Sequence, residues 1–328
     1  MKQRLLGRTG QHISEIGFGA WAIGGAWGDV SRTDAKAALH AALDSGTSFI
    51  DTADVYGDGR SERFIAEVIK ERGGEKPFVA TKAGRRLSPH VADGYDQKNL
   101  VSFVERSLVN LDTDCLDLVQ LHCPPPDVYY RPEVFDIMDR MVAAGKVRHY
   151  GVSVEKVEEA LKAIEYPNVS TIQIIYNIFR QRPNQLFFVE AKKRNVGVIV
   201  RVPLASGVLT GKMSATTAFA ADDHRAFNRN GEAFDKGETF SGVPYELALE
   251  VVDEIRRLVP GNATMAQFAL RWILMEDSVS AVIPGARNAQ QAVANNAASS
   301  LHNLAAQTMD ELRAIYQQRI APFVHQRW

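Results

Sequence analysis

The sequence predicts a single α/β domain over residues 1–328: a (β/α)8 TIM barrel whose bottom is plugged by an N-terminal β-hairpin and whose end carries C-terminal helices. Three observations carry this expectation. Short apolar runs alternate with amphipathic stretches of helical period along nearly the whole chain, the βα rhythm of a parallel sheet. Several of those runs stop at a titratable residue, as barrel strands do where they present chemistry at their C-terminal ends. And 328 residues, 45% of them hydrophobic, suffice for one large core.

In order, residues 4–6 and 12–14 flank Gly7-Arg8-Thr9-Gly10 and read as the hairpin. The first strand, 16–19, runs into a loop bearing Trp21, Gly24-Gly25 and Trp27. Strands follow at 48–51, 77–82, 116–122, 147–153, 171–176, 197–202 and 279–283. Between and after them come helices at 34–45, 61–72, 97–111, 133–144, 155–165, 184–195 and beyond Arg287. Two insertions, 123–132 and 212–242, each follow a strand and so belong to the catalytic mouth; loops of that length are usually functional or disordered. Amphipathic segments at 243–258 and 264–275, a helix at 307–318 and a tail from Ala321 complete the chain, and the tail covers either the barrel or the pocket.

A formal net charge of -1 and a pI near 6.7 supply no electrostatic case for nucleic acid or an anionic membrane. No apolar run reaches membrane length and the first residues lack a signal-peptide core, so a cytoplasmic protein is expected. Cys115 and Cys123, at opposite ends of one strand, are too far apart for a bridge and wrongly spaced for a zinc pair, so no metal is expected.

The candidate chemistry stands at three successive strand ends. Phe49-Ile50 stops at Asp51, with Tyr56 five residues on in a Gly-flanked turn; the next strand ends in Lys82 and the one after in His122. A buried strand that ends in Lys or His needs a reason. A phenol is a poor acid near neutrality unless a cation stabilises its anion, so Lys82 beside Tyr56 is expected to lower the phenol's pKa, with Asp51 keeping the ammonium charged. His122 is positioned to donate a hydrogen bond to a carbonyl oxygen. A Schiff-base lysine, as in an aldolase, would use Lys82 equally well. Trp21 and Trp27 are candidates to line the substrate pocket, or ordinary lid packing.

The set Asp51-Thr52-Ala53, Tyr56-Gly57, Thr81-Lys82 and Leu121-His122 resembles the aldo-keto reductases, which carry Asp, Tyr, Lys and His in this order. Trp21-Ala22-Ile23-Gly24-Gly25 looks like a bacterial branch close to the inositol-utilisation type. The resemblance implies NADPH-dependent reduction of an aldehyde or ketone, or of an aldose, with Tyr56 as general acid and a small carbonyl substrate. It also implies a cofactor lying across the barrel mouth, in keeping with the absence of a Gly-x-Gly-x-x-Gly opening. Ser153 and Gln173 match the residues that hold the nicotinamide carboxamide. Pro203 to Lys212, with Leu204, Ser206, Gly207 and Leu209, matches the loop around the pyrophosphate. Gly285, Arg287, Gln291 and Asn295 match the adenosine-phosphate segment, Arg287 being the candidate for the 2'-phosphate.

Two positions depart from the pattern. Val154 stands where members commonly have Asn, and Arg201 where many have an aromatic ring stacked on the nicotinamide. Arg201 is expected either to stack there itself or to turn away and pair with an acidic residue of the 212–242 insertion. An oxidative sugar or alcohol dehydrogenase and a non-catalytic NADPH-sensing subunit remain the other readings, and a monomer is expected. His40, His90, His149 and His224 match no role and read as solvated or structural.

Overall fold

The computed structural model describes residues 1–25 and 30–328. Its hairpin pairs β1 (Gln3–Leu5) with β2 (His12–Ser14). Then β3 (Phe18–Gly19), β4 (Phe49–Asp51), β5 (Phe78–Ala83), β6 (Leu116–His122), β7 (Val147–Ser153), β8 (Val169–Ile175), β9 (Gly197–Arg201) and β10 (Val279–Val282) form one eight-stranded parallel sheet in chain order. Parallel bridges from Ile16 to Val282 and from Gly19 to Gly285 join its two edges, closing the barrel. The seam needs glycine at 19, because a Cβ there would lie 2.6 Å from the carbonyl oxygen of Ile283.

Helices occupy the connections: α1 (Trp21–Gly24), α2 (Arg32–Asp44), α3 (Arg60–Arg72), α4 (Gln97–Asn110), α5 (Pro132–Ala143), α6 (Val157–Ala163), α7 (Phe187–Lys193), α8 (His224–Phe227), α9 (Tyr245–Arg256), α10 (Met265–Leu274), α11 (Ala289–Asn296), α12 (Ala306–Ile315) and α13 (Ala321–Val324). Their starts follow local chemistry. The side chains of Ser31 and Asp96 accept the N–H groups of Asp34 and Asn99, and Thr264 and Gln267 cap α10 reciprocally. Two helices are shorter than their sequence patterns. The Glu159 carboxylate takes the N–H groups of Glu155 and Lys156, which starts α6 at Val157, and Pro183 sits in a separate turn ahead of α7.

Strand side chains alternate between the barrel interior and the helices. Ile50, Val79, Val119, Val198, Val200 and Val282 pack outward into the main core. Phe49, Ala80, Leu118, Ile199 and Ala281 point inward and form a separate buried cluster with Leu6 and Ile13, so the hairpin does plug the bottom. Two residues further along the same strands, the inward column becomes polar: Asp51, Lys82, Gln120 and Arg201, with His122 one layer nearer the mouth.

Both insertions are ordered at that mouth. Residues 123–132 contain a 3-10 turn at Pro126–Tyr130, and residues 212–242 contain α8 and turns at Lys236–Glu238 and Phe240–Gly242. The tail returns to the second insertion: Trp328 Nε1 donates to Asp235 Oδ1 at 2.7 Å, and the Arg180 guanidinium lies 4.4 Å from the Trp328 ring centroid. Among the described residues no helix is long and apolar enough to cross a membrane, and Cys115 and Cys123 are both free.

Candidate active site

The four strand-end candidates converge. Lys82, 1% exposed, places its ammonium 2.5 Å from Asp51 Oδ1, 2.9 Å from the Thr52 carbonyl and 3.4 Å from the Tyr56 hydroxyl. Asp51 is held from its other side, Oδ2 accepting from Gln173 at 2.7 Å and Gln120 at 3.1 Å. The sequence offers no motif for Gln120; its inward place on β6, two residues before His122, was the signal available. Tyr56 comes from the turn after β4. A Cβ at Gly24 would lie 2.7 Å from the Tyr56 Cβ, so α1 can approach the phenol only with glycine there. The His122 ring meets the Tyr56 ring edge-on at 5.9 Å.

Electrostatics assign the protons. Burial works to neutralise Lys82, but the charges of Asp51 and Tyr56 outweigh it and leave the ammonium's pKa raised. For Tyr56, burial raises the pKa and Lys82 only partly offsets it, so the phenol stands above its ordinary value. The sequence expectation of a lowered phenol pKa is corrected here: the Lys82 effect has the expected sign and loses to desolvation. Burial, then the charges of Arg85 and Lys82, hold His122 well below its usual pKa, which makes it a neutral imidazole. Its Nδ1 is buried with no hydrogen-bond partner among the described residues.

Above this group lies a cleft of about 730 Å³, lined among others by Trp21, Tyr56, Arg85, His122, Phe234 and Glu238. Trp21 stacks on Tyr56 at 6.1 Å and meets the buried His224 at a tilt at 4.8 Å, so His224 is a structural support; His90 also lines the cleft. Trp27 lies outside the described residues.

A second charged group, not legible in the sequence, lies at one side of the cleft. Arg85 donates to Glu238 at 2.5 Å and to Glu155 at 3.0 Å; Arg201 pairs with Glu155 at 2.7 Å and Glu238 at 3.4 Å. Arg201 thus pairs with Glu238, an acidic residue of the 212–242 insertion, as in the second of its two expected courses. Burial pushes Glu155 up to about 8 against the pull of Arg201. Glu238 is held below its ordinary value because Arg85 and Arg201 outweigh its burial. Cys123, Glu155 and Glu238 bring potential ligand atoms within 4.8 Å of one another, but the two guanidiniums occupy the carboxyl groups and burial pushes the thiol up to about 12.

The stretches expected to take the cofactor run from Pro203 to Lys212 and from Gly285 to Asn295. Val202, Ala205, Ser206, Gly207 and Gly211 all have positive φ, and the tight turns they make spend the N–H groups of Ala205, Gly207 and Gly211 on the carbonyls of Val202, Leu204 and Val208. The Asn288 side chain caps α11, at whose start Arg287 and Gln291 stand, with the Arg287 N–H donating to the Gln291 side chain. Several side chains have other partners. The Ser206 hydroxyl donates to the Glu238 carbonyl and accepts from the Phe240 N–H; Leu209 is fully buried and its N–H donates to the Leu204 carbonyl; Asn295 donates to the Gly285 carbonyl. Buried Ser153 lies 3.4 Å from the Cys123 sulfur, and the Gln173 amide nitrogen is spent on Asp51 and Gln120, leaving its carbonyl for a carboxamide. Leu204 packs against the core, while Lys212 is exposed.

Comparison with known proteins agrees with this geometry. The chain is 32% identical over 298 residues to Aldo-keto reductase YhdN of Bacillus subtilis, covering 89% of this chain and 86% of the relative. It is 28% identical over 334 residues to a probable voltage-gated potassium channel subunit beta of Oryza sativa subsp. japonica, covering 97% and 98%. The glycerol dehydrogenase AKR11B4 from Gluconobacter oxydans superposes with a TM-score of 0.76 at 28% identity, covering 96% and 94% of the two chains. The profile of the Aldo/keto reductase family matches residues 15–317, and the chain belongs to that family.

Proposed function

We propose that Asp51, Tyr56, Lys82 and His122 form the reducing centre of this NADP-dependent oxidoreductase, which converts an aldehyde or ketone carbonyl to an alcohol. One observation carries the reading: the buried Lys82 ammonium touches both Asp51 and the Tyr56 hydroxyl, beneath a cleft that also exposes a neutral His122. NADPH, when bound, supplies the hydride. Tyr56 gives a proton to the carbonyl oxygen, and Lys82 stabilises the phenolate left behind. Asp51, braced by Gln120 and Gln173, keeps the ammonium charged and in place. His122 donates one N–H to the same oxygen and orients it. Gly207 and its neighbours would hold the pyrophosphate, Arg287 the 2'-phosphate, and Ser153 with the Gln173 carbonyl the carboxamide.

The same reading makes the chain one barrel unit, monomeric and cytoplasmic. The profile match from 15 to 317 supports the first of these. The experiment is NADPH consumption across an aldehyde panel beside NADP reduction across alcohols and aldoses. Faster oxidation than reduction would favour a dehydrogenase, as the glycerol dehydrogenase is named. Tight NADPH binding without turnover would favour a sensing subunit.

A further inference from the structure

Tyr56 stands midway between two carbonyl groups that one guanidinium holds. From α4, Arg106 Nη1 donates to the Asp54 carbonyl at 3.1 Å and Nη2 to the Asp58 carbonyl at 2.9 Å, so the fork spans the turn from two residues before the phenol to two after it. Nη2 also donates to Asp58 Oδ1 at 2.8 Å, a carboxylate shared with Arg86 from the connection after β5. Arg63 of α3 reaches the same Asp58 carbonyl at 3.3 Å. Three elements therefore grip the far side of the turn, and Arg106 alone of these arginines bridges both of its sides.

The turn needs such a hold. Gly57, Asp58 and Gly59 have φ of 60°, 54° and 81°, a region that strains a non-glycine residue such as Asp58. The hydrogen bonds inside the turn, from the Tyr56 N–H to Ala53 and from the Asp58 N–H to Val55, fix its shape but not its place on the barrel. Towards β5 it is tied by the Asp54 N–H to the Lys82 carbonyl at 3.4 Å, a long contact. Place matters most at one atom. The Tyr56 hydroxyl is already 3.4 Å from the Lys82 ammonium, which is itself fixed by Asp51 and the Thr52 carbonyl, so a turn that drifts outward loses that contact first. We propose, resting on the assignment of Tyr56 as the acid above, that Arg106 is a positioning residue for it: acting through the turn, it sets the reach of the phenol to Lys82 and to the substrate oxygen. A planar fork suits the task, since two N–H groups meet two carbonyls at a fixed spacing. Arg106 is not among the residues lining the cleft, so its loss leaves the cleft walls in place.

The test measures single-turnover reduction of the best aldehyde of the panel, its KM and the NADPH dissociation constant. Arg106→Ala and Arg106→Lys are each made in the wild type and in Tyr56→Phe. In the wild type, Arg106→Ala is expected to lower the rate about 30-fold to 100-fold, the size of a misplacement of about 1 Å, with KM and NADPH binding within about threefold. Arg106→Lys, which keeps the charge but not the fork, is expected to recover about tenfold of that loss. In Tyr56→Phe the alanine substitution is expected to cost less than about threefold, because no phenol proton is left to place. A protein whose fold merely suffers would lose the same factor in both backgrounds. An unchanged rate, an equal loss in both backgrounds, or a loss that falls on KM or NADPH binding instead overturns the proposal while leaving carbonyl reduction standing. Tyr56→Phe as fast as the wild type would instead remove the assignment on which it rests. Should Arg106→Ala fail to fold, Arg106→Lys carries the same comparison. Should Tyr56→Phe be too slow to measure, the solvent deuterium isotope effect on the Arg106 variant decides: it is expected to exceed that of the wild type as proton transfer slows, and an unchanged effect overturns the proposal.

Discussion

Lys82 sits between Asp51 and Tyr56, 2.5 Å from the carboxylate and 3.4 Å from the phenol, with 1% of its surface exposed. A buried ion pair that loses one partner leaves the other uncompensated, at a cost of about 3–5 kcal/mol, whereas removing both charges is far less costly. Lys82→Met alone is therefore expected to destabilise the protein strongly, and Asp51→Asn/Lys82→Met to recover much of that loss. Neither variant should recover turnover, because Tyr56 has lost its cation in both. Thermal unfolding beside kcat measures the two effects; a double variant no more stable than Lys82→Met contradicts the pairing.

The pH profile of reduction follows from the signs of the shifts. Tyr56 acts in its protonated form, and its pKa lies above the ordinary phenol value, so the acid limb is lost only in alkali above about pH 10. His122 has a depressed pKa, so it stays neutral until well below its usual value near 6.5. Single-turnover reduction rates are expected to be level from about pH 6.5 to pH 9. An inflection near pH 6.5 to 7 would mean that His122 titrates in the free range and would contradict its assignment as a neutral imidazole.

Trp328 holds one wall of the cleft from outside it. Its indole N–H bonds Asp235, Arg180 lies over its ring, and Asp235 with Phe234 and Glu238 lines the site. Trp328→Ala is expected to raise KM for the aldehyde about tenfold with a smaller change in kcat, since the lost interaction positions a binding wall and leaves the reacting atoms alone. Trp328→Phe, which keeps the ring over Arg180, should restore part of the effect. A fall in kcat with KM unchanged would contradict this role.

Arg201 tests the cofactor end. With its guanidinium turned to Glu155 and Glu238, the ionised Glu238 offsets part of the charge it could set against an oxidised nicotinamide ring. Arg201→Tyr is expected to leave the ratio of NADP+ to NADPH dissociation constants within about twofold, below the effect of one unscreened charge. A shift of about fivefold or more toward NADP+ would restore the direct electrostatic role that the sequence suggested.

The barrel and its reactive column were legible because both depend on periodicity within single strands. Asp51, Lys82 and His122 each end an apolar run, and the structure puts the first two one layer above Phe49 and Ala80, with His122 a layer nearer the mouth than Gln120. Gln120 obeys the same period but is an amide in a strand, which no motif distinguishes. The Arg85, Glu155, Arg201 and Glu238 group was hidden for a different reason. Its members come from three connections and a strand end up to 153 residues apart, and only the folded insertion brings Glu238 to Arg85. The tail was open for the same reason: Trp328 meets Asp235 across 93 residues of chain. The phenol's pKa was misjudged because a sequence names the neighbouring cation but not the depth at which both are buried.

The central claim is that Tyr56 delivers the proton. Tyr56→Phe removes only the hydroxyl and keeps the ring against Trp21 and His122. Measured as kcat for the best aldehyde of the panel, with the NADPH dissociation constant taken from cofactor fluorescence, the variant is expected to lose about 100-fold to 10,000-fold in kcat while binding NADPH as the wild type does. A variant that kept most of its kcat would contradict the account.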